Sequence, residues 1–182
     1  MALPHDGTQA RANLEIKAHC ADLAAAREKA ERLATSHLGV EGQVDTYFRV
    51  PEGRLKLREC TPGGAVLIPY LRPNHAGTRR SDYQVIPIED PGGLRRLLSA
   101  ILGVHRIVRK EREIFLVENV RIHLDRVEEL GDFIELEAVF DGSAARESEQ
   151  HALVAHLMSE LGIAEGELLG SSYEALIAGA AS

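Results

Sequence analysis

Charged side chains occupy alternate positions, with aliphatic residues between them, in four short segments of this chain. The segments are residues 13–17, 54–58, 121–125 and 135–137. Because successive side chains of a β-strand point to opposite sides, each segment is expected to form a strand with one apolar and one ionic face. The ionic positions are dense and sorted by sign, unlike the mixed polar positions of an ordinary surface strand. The pattern therefore predicts a sheet with a core on one side and a charged functional surface on the other.

The composition limits the class of protein. A chain of 182 residues with 45% hydrophobic content is long enough for one buried domain, which we place at residues 11–182 after a mobile N-terminus over residues 1–10. The formal net charge of −7 argues against a nucleic-acid partner, because nucleic-acid binders usually carry a basic surface. Cys20 and Cys60 form no CxxC pattern, and the sequence contains neither a signal peptide nor a membrane-spanning apolar run. We therefore expect a cytoplasmic protein without a membrane partner.

Turn and capping residues divide the chain into strands and helices. Asp22 is expected to cap a helix that ends near Gly39, and Asp90 with Pro91 opens a second helix that ends at Gly103. Residues 79–88 are expected to form one strand out of about eight, most of which are neighbours in sequence. Such neighbours, joined by short turns, favour an antiparallel meander. We therefore predict an α+β fold in which a closed antiparallel eight-stranded β-barrel has helices packed outside.

If the aliphatic positions lie under the helices, the ionic positions converge on the interior of the barrel. The cations would be Lys17, Lys56, Arg58, Arg72, Lys110, Arg112 and Arg121, and the carboxylates would be Glu15, Asp125, Glu135 and Glu137. Buried like charges are costly unless they are paired, so seven cations facing four carboxylates require an anionic ligand. Carboxylate oxygens are also the ligands that Mg²⁺ or Mn²⁺ prefers. The sequence therefore predicts a polyanion site with a divalent metal beside it.

In order and spacing, these segments resemble a known family over nearly the whole chain. Asn13-Leu-Glu15-Ile-Lys17 resembles an opening ExExK strand in which asparagine replaces the first glutamate, and Lys110-Glu-Arg112 resembles a KxR strand. Residues 45–48 and 53–59 are similar to a hairpin of cyclase-like bacterial members, and residues 125–137 to the closing acidic strands. The chain thus resembles the CYTH superfamily of triphosphate tunnel metalloenzymes.

The resemblance implies a triphosphate held in a tunnel by a cage of cations. The residues implied in catalysis are Lys17, Arg58, Lys110 and Arg112, and the same four with Lys56, Arg72, Arg79 and Arg121 would bind the substrate. Glu15, Asp125, Glu135 and Glu137 would hold Mg²⁺ or Mn²⁺. Arginine suits this task because its planar fork can bind two phosphate oxygens at once. His123 shares the parity of Arg121 and Asp125, so it is either a substrate or proton-transfer residue or a structural one.

Three functions are compatible with this pattern. The hairpin at residues 45–59 favours a class IV adenylyl cyclase-like enzyme, which converts ATP to cyclic AMP and pyrophosphate. An inorganic triphosphatase or a thiamine triphosphatase-type phosphohydrolase would use the same tunnel. The third hypothesis is a non-catalytic nucleotide or polyphosphate-binding protein, because Asn13 removes one possible carboxylate ligand.

A homodimer is compatible with such a barrel. Each segment alone could be a solvated strand face, and their joint order favours a site instead.

Overall fold

The computed structural model describes residues 11–71, 79–140 and 143–180. Within these ranges the alternating segments produce nine strands: β1 (Arg11–His19), β2 (Ser36–Phe48), β3 (Arg54–Thr61), β4 (Ala65–Leu71), β5 (Arg79–Tyr83), β6 (Ile86–Ile88), β7 (Val104–Val117), β8 (Val120–Val127) and β9 (Gly131–Phe140). The α-helices of the same ranges are α1 (Leu23–Leu33), α2 (Pro91–Leu102), α3 (Ala144–Leu161) and α4 (Tyr173–Ala180). No helix among them combines the length and the apolar character that crossing a membrane requires.

All strand pairs of the described sheet are antiparallel. Eight strands follow one another in the order β3, β2, β7, β8, β9, β1, β5 and β4, and β4 pairs with β3 as well. The short strand β6 lies beside β4. The expected α+β class with an antiparallel sheet is confirmed. The single strand predicted over residues 79–88 is wrong, because it is divided into β5 and β6, which both pair with β4.

The apolar face of the sheet packs under α1 and α3. Leu14 and Ile16 of β1, Ile122 of β8 and Leu136 of β9 are buried together with Leu157 of α3. Complete burial of one such aliphatic side chain stabilises the fold by about 1.5–3 kcal/mol. Because side chains alternate along a strand, this core fixes the charged neighbours of these residues on the opposite face.

The last helix, α4, packs against that opposite face. Tyr173 and Ile177 of α4 join Phe133 of β9, Val127 of β8 and Val108 of β7 in a second buried cluster. The three strand residues lie on the same side of the sheet as the charged alternate positions. Helix α4 therefore covers one end of the charged face with apolar contacts.

Capping residues set the helix boundaries largely as expected. The Asp22 carboxylate accepts a hydrogen bond from the backbone N–H of Ala25 at 2.9 Å, and Asp90 accepts one from Gly93 at 2.8 Å. Gly103 ends α2 with a φ of 75°. The prediction that the first helix ends near Gly39 is wrong, because α1 ends at Leu33. Gly39, with a φ of 102°, instead lies at a register shift in β2, where the chain also needs a left-handed residue. The N-terminus predicted over residues 1–10 lies outside the described residues.

Candidate functional site

Charged side chains line the face of the sheet opposite α1 and α3. We call this set the ionic face; it comprises Lys17, Lys56, Arg58, Lys110, Arg112 and Arg121 with Glu15, Asp45, Asp125, Glu135 and Glu137. Many of these residues are buried: Asp125 is 0% exposed and Lys17 only 3% exposed. Helix α4 covers one end of this face. Because ions lose solvation when they are buried, each of them needs partners.

Arg112 and Asp125 form the centre of the ionic face, where β7 pairs with β8. The Arg112 guanidinium donates to both Asp125 oxygens, from Nε at 2.6 Å and from Nη2 at 2.5 Å. The Tyr173 hydroxyl of α4 donates to Asp125 Oδ2 at 2.7 Å, and Lys110 Nζ lies 3.5 Å from the same oxygen. Helix α4 thus supplies a polar contact as well as an apolar cover to this face.

Glu135 of β9 links Arg112 to two further residues. Its Oε2 lies 3.1 Å from Lys17 Nζ, which belongs to the adjacent strand β1. Its Oε1 accepts a hydrogen bond from Arg112 Nη2 at 3.2 Å and lies 3.2 Å from His123 Nδ1. His123 is buried with its Nε2 at 3.9 Å from Glu137 Oε2. This residue therefore contacts carboxylates of the ionic face.

Asn13 contacts Glu137, the other acidic residue of β9 on this face. Its Nδ2 donates to Glu137 Oε1 at 2.8 Å, and Arg121 Nη1 donates to Glu137 Oε2 at 3.2 Å. Glu15 is buried and lies directly opposite Glu137 in the strand register. A glutamate at position 13 would add another negative charge beside these two carboxylates, whereas the amide supplies a neutral donor. The asparagine thus lowers the local charge and keeps Glu137 hydrogen-bonded.

Asp45 of β2 is a member of the ionic face that sequence reasoning missed as a site residue. It is 3% exposed, and it binds Arg58 of β3 through both oxygens, with Nε–Oδ1 and Nη2–Oδ2 distances of 2.7 Å. Lys56 Nζ donates to Asp45 Oδ2 at 3.0 Å. The predicted hairpin could have identified Asp45 as a site residue, because Asp45 lies directly opposite Arg58 when β2 and β3 pair.

Burial on the ionic face shifts the pKa of several groups. Desolvation, and after it the charge of Arg112, lowers the pKa of Lys110 to about 7, although Asp125 opposes this shift. The same two causes lower the pKa of His123. Burial alone would raise the pKa of Asp125, but Arg112 and Lys110 outweigh it and hold this pKa below its ordinary value of 3.8. At neutral pH the carboxylate therefore stays ionised, His123 is neutral and Lys110 is only partly protonated.

The charged residues of the ionic face differ from the expected seven cations and four carboxylates by one further carboxylate. Asp45 is an additional carboxylate, so the named set contains six cations and five carboxylates, and the seventh predicted cation, Arg72, lies outside the described residues. By strand alternation Glu41, Arg54 and Arg106 share the same face. Within the described ranges, no three His, Cys, Asp or Glu side chains form a group ready to hold a metal ion. The predicted metal ligands Asp125, Glu135 and Glu137 are instead engaged by cations of the same face.

Two of the predicted substrate-binding arginines, Arg72 and Arg79, are not among the residues assigned to the ionic face. Arg72 lies outside the described residues. The backbone of Arg79 in β5 is opposite Glu15 of β1, at a register position next to the ionic face. The other predicted residues, from Lys17 on β1 to Glu137 on β9, are brought together on this face.

Comparison with known proteins gives a consistent result. A profile of the CYTH domain matches residues 11–171, whereas curated proteins give no significant match. The PH1012 protein from Pyrococcus horikoshii is 24% identical with a TM-score of 0.77, over 90% of this chain and 98% of that one. A candidate adenylate cyclase from Vibrio parahaemolyticus is 20% identical with a TM-score of 0.77, over 93% and 99% of the two chains. HpAC1 from Hippeastrum, a candidate adenylyl cyclase with a dominant triphosphatase activity, is 17% identical with a TM-score of 0.64, over 92% and 96%. These structures share the fold of this chain.

Proposed function

The chain belongs to the CYTH family, and from this premise we propose that it is a metal-dependent enzyme acting on a triphosphate. The observation that carries the proposal is the concentration of at least six cations and five carboxylates on one face of the described sheet. Buried ion pairs add little net stability, because desolvation offsets their attraction. A fold therefore has no stability reason to collect so many of them, whereas a polyanion site does.

We further propose that the sheet closes into a tunnel around the ionic face. Support comes from β4, which pairs with β3 along most of its length and with β5 through Tyr70 and Leu71. These pairings bring the two ends of the eight-strand order together. The burial of Lys17, Lys110 and Arg112 is a second support, because a flat sheet would leave these cations in water.

The cations of the tunnel would bind the triphosphate. In this proposal Lys17, Arg58, Lys110 and Arg112 contact the reacting phosphate groups, with the remaining substrate ligands at Lys56, Arg72, Arg79 and Arg121. Arg58 and Arg112 each present a fork that now binds a carboxylate in bidentate fashion. The same geometry can bind two phosphate oxygens and stabilise the charge that develops on them during phosphoryl transfer.

The acidic residues would hold the divalent ion. Glu15, Asp125, Glu135 and Glu137 are hard oxygen donors from three neighbouring strands, the donor type that Mg²⁺ and Mn²⁺ require. A bound divalent ion would neutralise phosphate charge and orient the reacting oxygens. The protein itself would orient the substrate, exclude water from the tunnel and keep His123 neutral between Glu135 and Glu137.

Class IV adenylyl cyclase-like chemistry is the favoured activity, on the grounds of the hairpin at residues 45–59. In that reaction the ribose 3′-hydroxyl of ATP attacks the α-phosphorus, and pyrophosphate leaves. The fold shared with HpAC1, a protein with dominant triphosphatase activity, supports hydrolysis as the second candidate. In that case water attacks the terminal phosphorus of inorganic triphosphate, thiamine triphosphate or a nucleotide.

Product analysis separates these activities. Purified protein is incubated with ATP, tripolyphosphate or thiamine triphosphate and with Mg²⁺ or Mn²⁺, and the products are resolved by chromatography. Cyclic AMP with pyrophosphate identifies a cyclase, and free phosphate identifies a hydrolase. Glu137→Gln should abolish the turnover. The matched control Glu59→Gln, which alters an exposed ion pair with Arg95 on the outer side of β3, should retain it. Tight triphosphate binding without any product would instead indicate a binding protein and contradict the proposed activity.

A further inference from the structure

Asp45 is a buried carboxylate of the ionic face that stands apart from the carboxylates proposed to hold the metal. It lies on β2, and β7 separates it from Asp125 on β8. We propose that Asp45 is a built-in counter-ion, which competes with the phosphate ligand for Arg58 and Lys56 and so limits how tightly the tunnel retains that ligand. This inference rests on the proposed function, because it concerns the binding of phosphate groups by the same cations.

The contact between Asp45 and Arg58 uses the part of the guanidinium that a phosphate would use. Nε and Nη2 of Arg58 both lie 2.7 Å from oxygens of Asp45, which is the bidentate arrangement that arginine forms with carboxylates and phosphates alike. A phosphate that binds this edge of Arg58 must displace Asp45. A phosphate at the other edge would lie close to a carboxylate of like charge. Either mode weakens binding relative to a free Arg58.

Lys56 makes this exchange possible. Its Nζ lies 3.0 Å from Asp45 Oδ2 and 3.5 Å from the Tyr47 hydroxyl. A buried carboxylate without a partner is strongly unfavourable, so Asp45 could not release Arg58 unless it kept another cation. Lys56 is that cation. Its ammonium group has three N–H donors, so it can keep one contact with Asp45 while Arg58 and another N–H of Lys56 turn to the phosphate.

Metal binding would not relieve this competition. The partners of Asp125, Glu135 and Glu137 would be released if a divalent ion took over the charge of those carboxylates. Asp45 is not in that group, and its described partners are Arg58 and Lys56. The ion pair between Asp45 and Arg58 therefore persists until a phosphate group binds Arg58. It forms again when an anionic product leaves.

Calorimetric titration with tripolyphosphate, in the absence of metal, tests the inference. Asp45→Asn preserves the size of the side chain and removes its charge. We expect this variant to bind tripolyphosphate about tenfold more tightly than the unmodified protein, the order expected for one charge-assisted contact. Glu59→Gln, which removes the charge of the 2.6 Å ion pair with Arg95 on the outer side of the same strand, should leave the affinity unchanged.

A second comparison covers the possibility that Asp45→Asn unfolds because Lys56 and Arg58 lose their carboxylate. The double variant Asp45→Asn, Lys56→Gln removes one charge of each sign, and it should bind tripolyphosphate more tightly than Lys56→Gln alone. In steady-state assays with whichever of ATP, tripolyphosphate and thiamine triphosphate is turned over, Asp45→Asn should lower KM and strengthen inhibition by pyrophosphate. A purely structural role would instead raise KM or leave it unchanged.

Two negative results are distinguishable. If the unmodified protein binds tripolyphosphate but the folded Asp45 variants bind it equally or less tightly than their reference proteins, the counter-ion role is overturned and the proposed function survives. If neither the unmodified protein nor any variant binds tripolyphosphate, the proposed function fails, and this inference fails with it.

Discussion

Replacement of Asp125 by asparagine should destabilise this protein strongly. Asp125 is 0% exposed and accepts two hydrogen bonds from Arg112, at 2.6 and 2.5 Å, and one from Tyr173 at 2.7 Å. Asparagine offers one acceptor oxygen in place of two and carries no charge. One of the two Arg112 N–H groups would therefore lose its acceptor and face the amide NH2 group. Removal of one partner from a buried ion pair costs about 3–5 kcal/mol.

The magnitude can be measured as a shift of the unfolding midpoint. For a chain of this length, 1 kcal/mol shifts Tm by about 2–4 °C, so the expected decrease is about 6–20 °C. Urea and thermal unfolding at pH 7 without ligand would give the free energy of unfolding and Tm. The control is Asp132→Asn on the face opposite the ionic face. It affects an ion pair in which Arg126 Nε lies 3.4 Å from Asp132 Oδ1, and it should change stability little. A loss below about 1 kcal/mol for Asp125→Asn would refute the reasoning, because it would show that Arg112 does not depend on this carboxylate for its charge compensation.

Three further predictions concern the same face. Tyr173→Phe removes a hydrogen bond of 2.7 Å to buried Asp125 and should cost about 1–3 kcal/mol in urea unfolding. Because burial and Arg112 lower the pKa of Lys110 to about 7, tripolyphosphate binding at pH 8 should take up a proton. Titrations in buffers of different ionisation enthalpy measure this uptake, and Lys110→Met should abolish it. Although burial would raise the pKa of Asp45, Arg58 and Lys56 hold it well below 3.8. Its contribution to stability is therefore present above that pH and lost on further acidification, and acid unfolding of Asp45→Asn should show a weaker pH dependence.

The period of the sequence was sufficient to predict the two faces of the sheet. Alternation of charged and aliphatic residues has a period of two, and only one face of such a strand can enter an apolar core. Leu14 and Ile16 therefore lie under the helices, while Lys17 lies on the other face. The capping aspartates were predictable for a similar local reason, since Asp22 and Asp90 bond to backbone groups three residues away.

Features that depend on register or on distant contacts were not predictable. The pairing of Lys17 with Glu135 requires the register between β1 and β9, which the sequence does not state. The contact between Tyr173 and Asp125 depends on where α4 docks after all the strands are paired. Gly39 was misassigned because a helix end and a β-bulge both accept a left-handed glycine. The predicted set of site residues also left out Asp45, the carboxylate that pairs with Arg58 across β2 and β3.

Helix α4 forms hydrogen bonds with two strands that are not neighbours in the sheet. Tyr173 bonds to Asp125 on β8, and the adjacent residue, Glu174, accepts a hydrogen bond from Arg54 on β3 at 3.0 Å. The strands β2 and β7 lie between these two. Loss of α4 after a single proteolytic cut would therefore remove both hydrogen bonds and expose Phe133 and Val127 to water. Loss of this one short segment would uncover part of the ionic face, so an intact α4 is a direct quality criterion for any preparation of this protein.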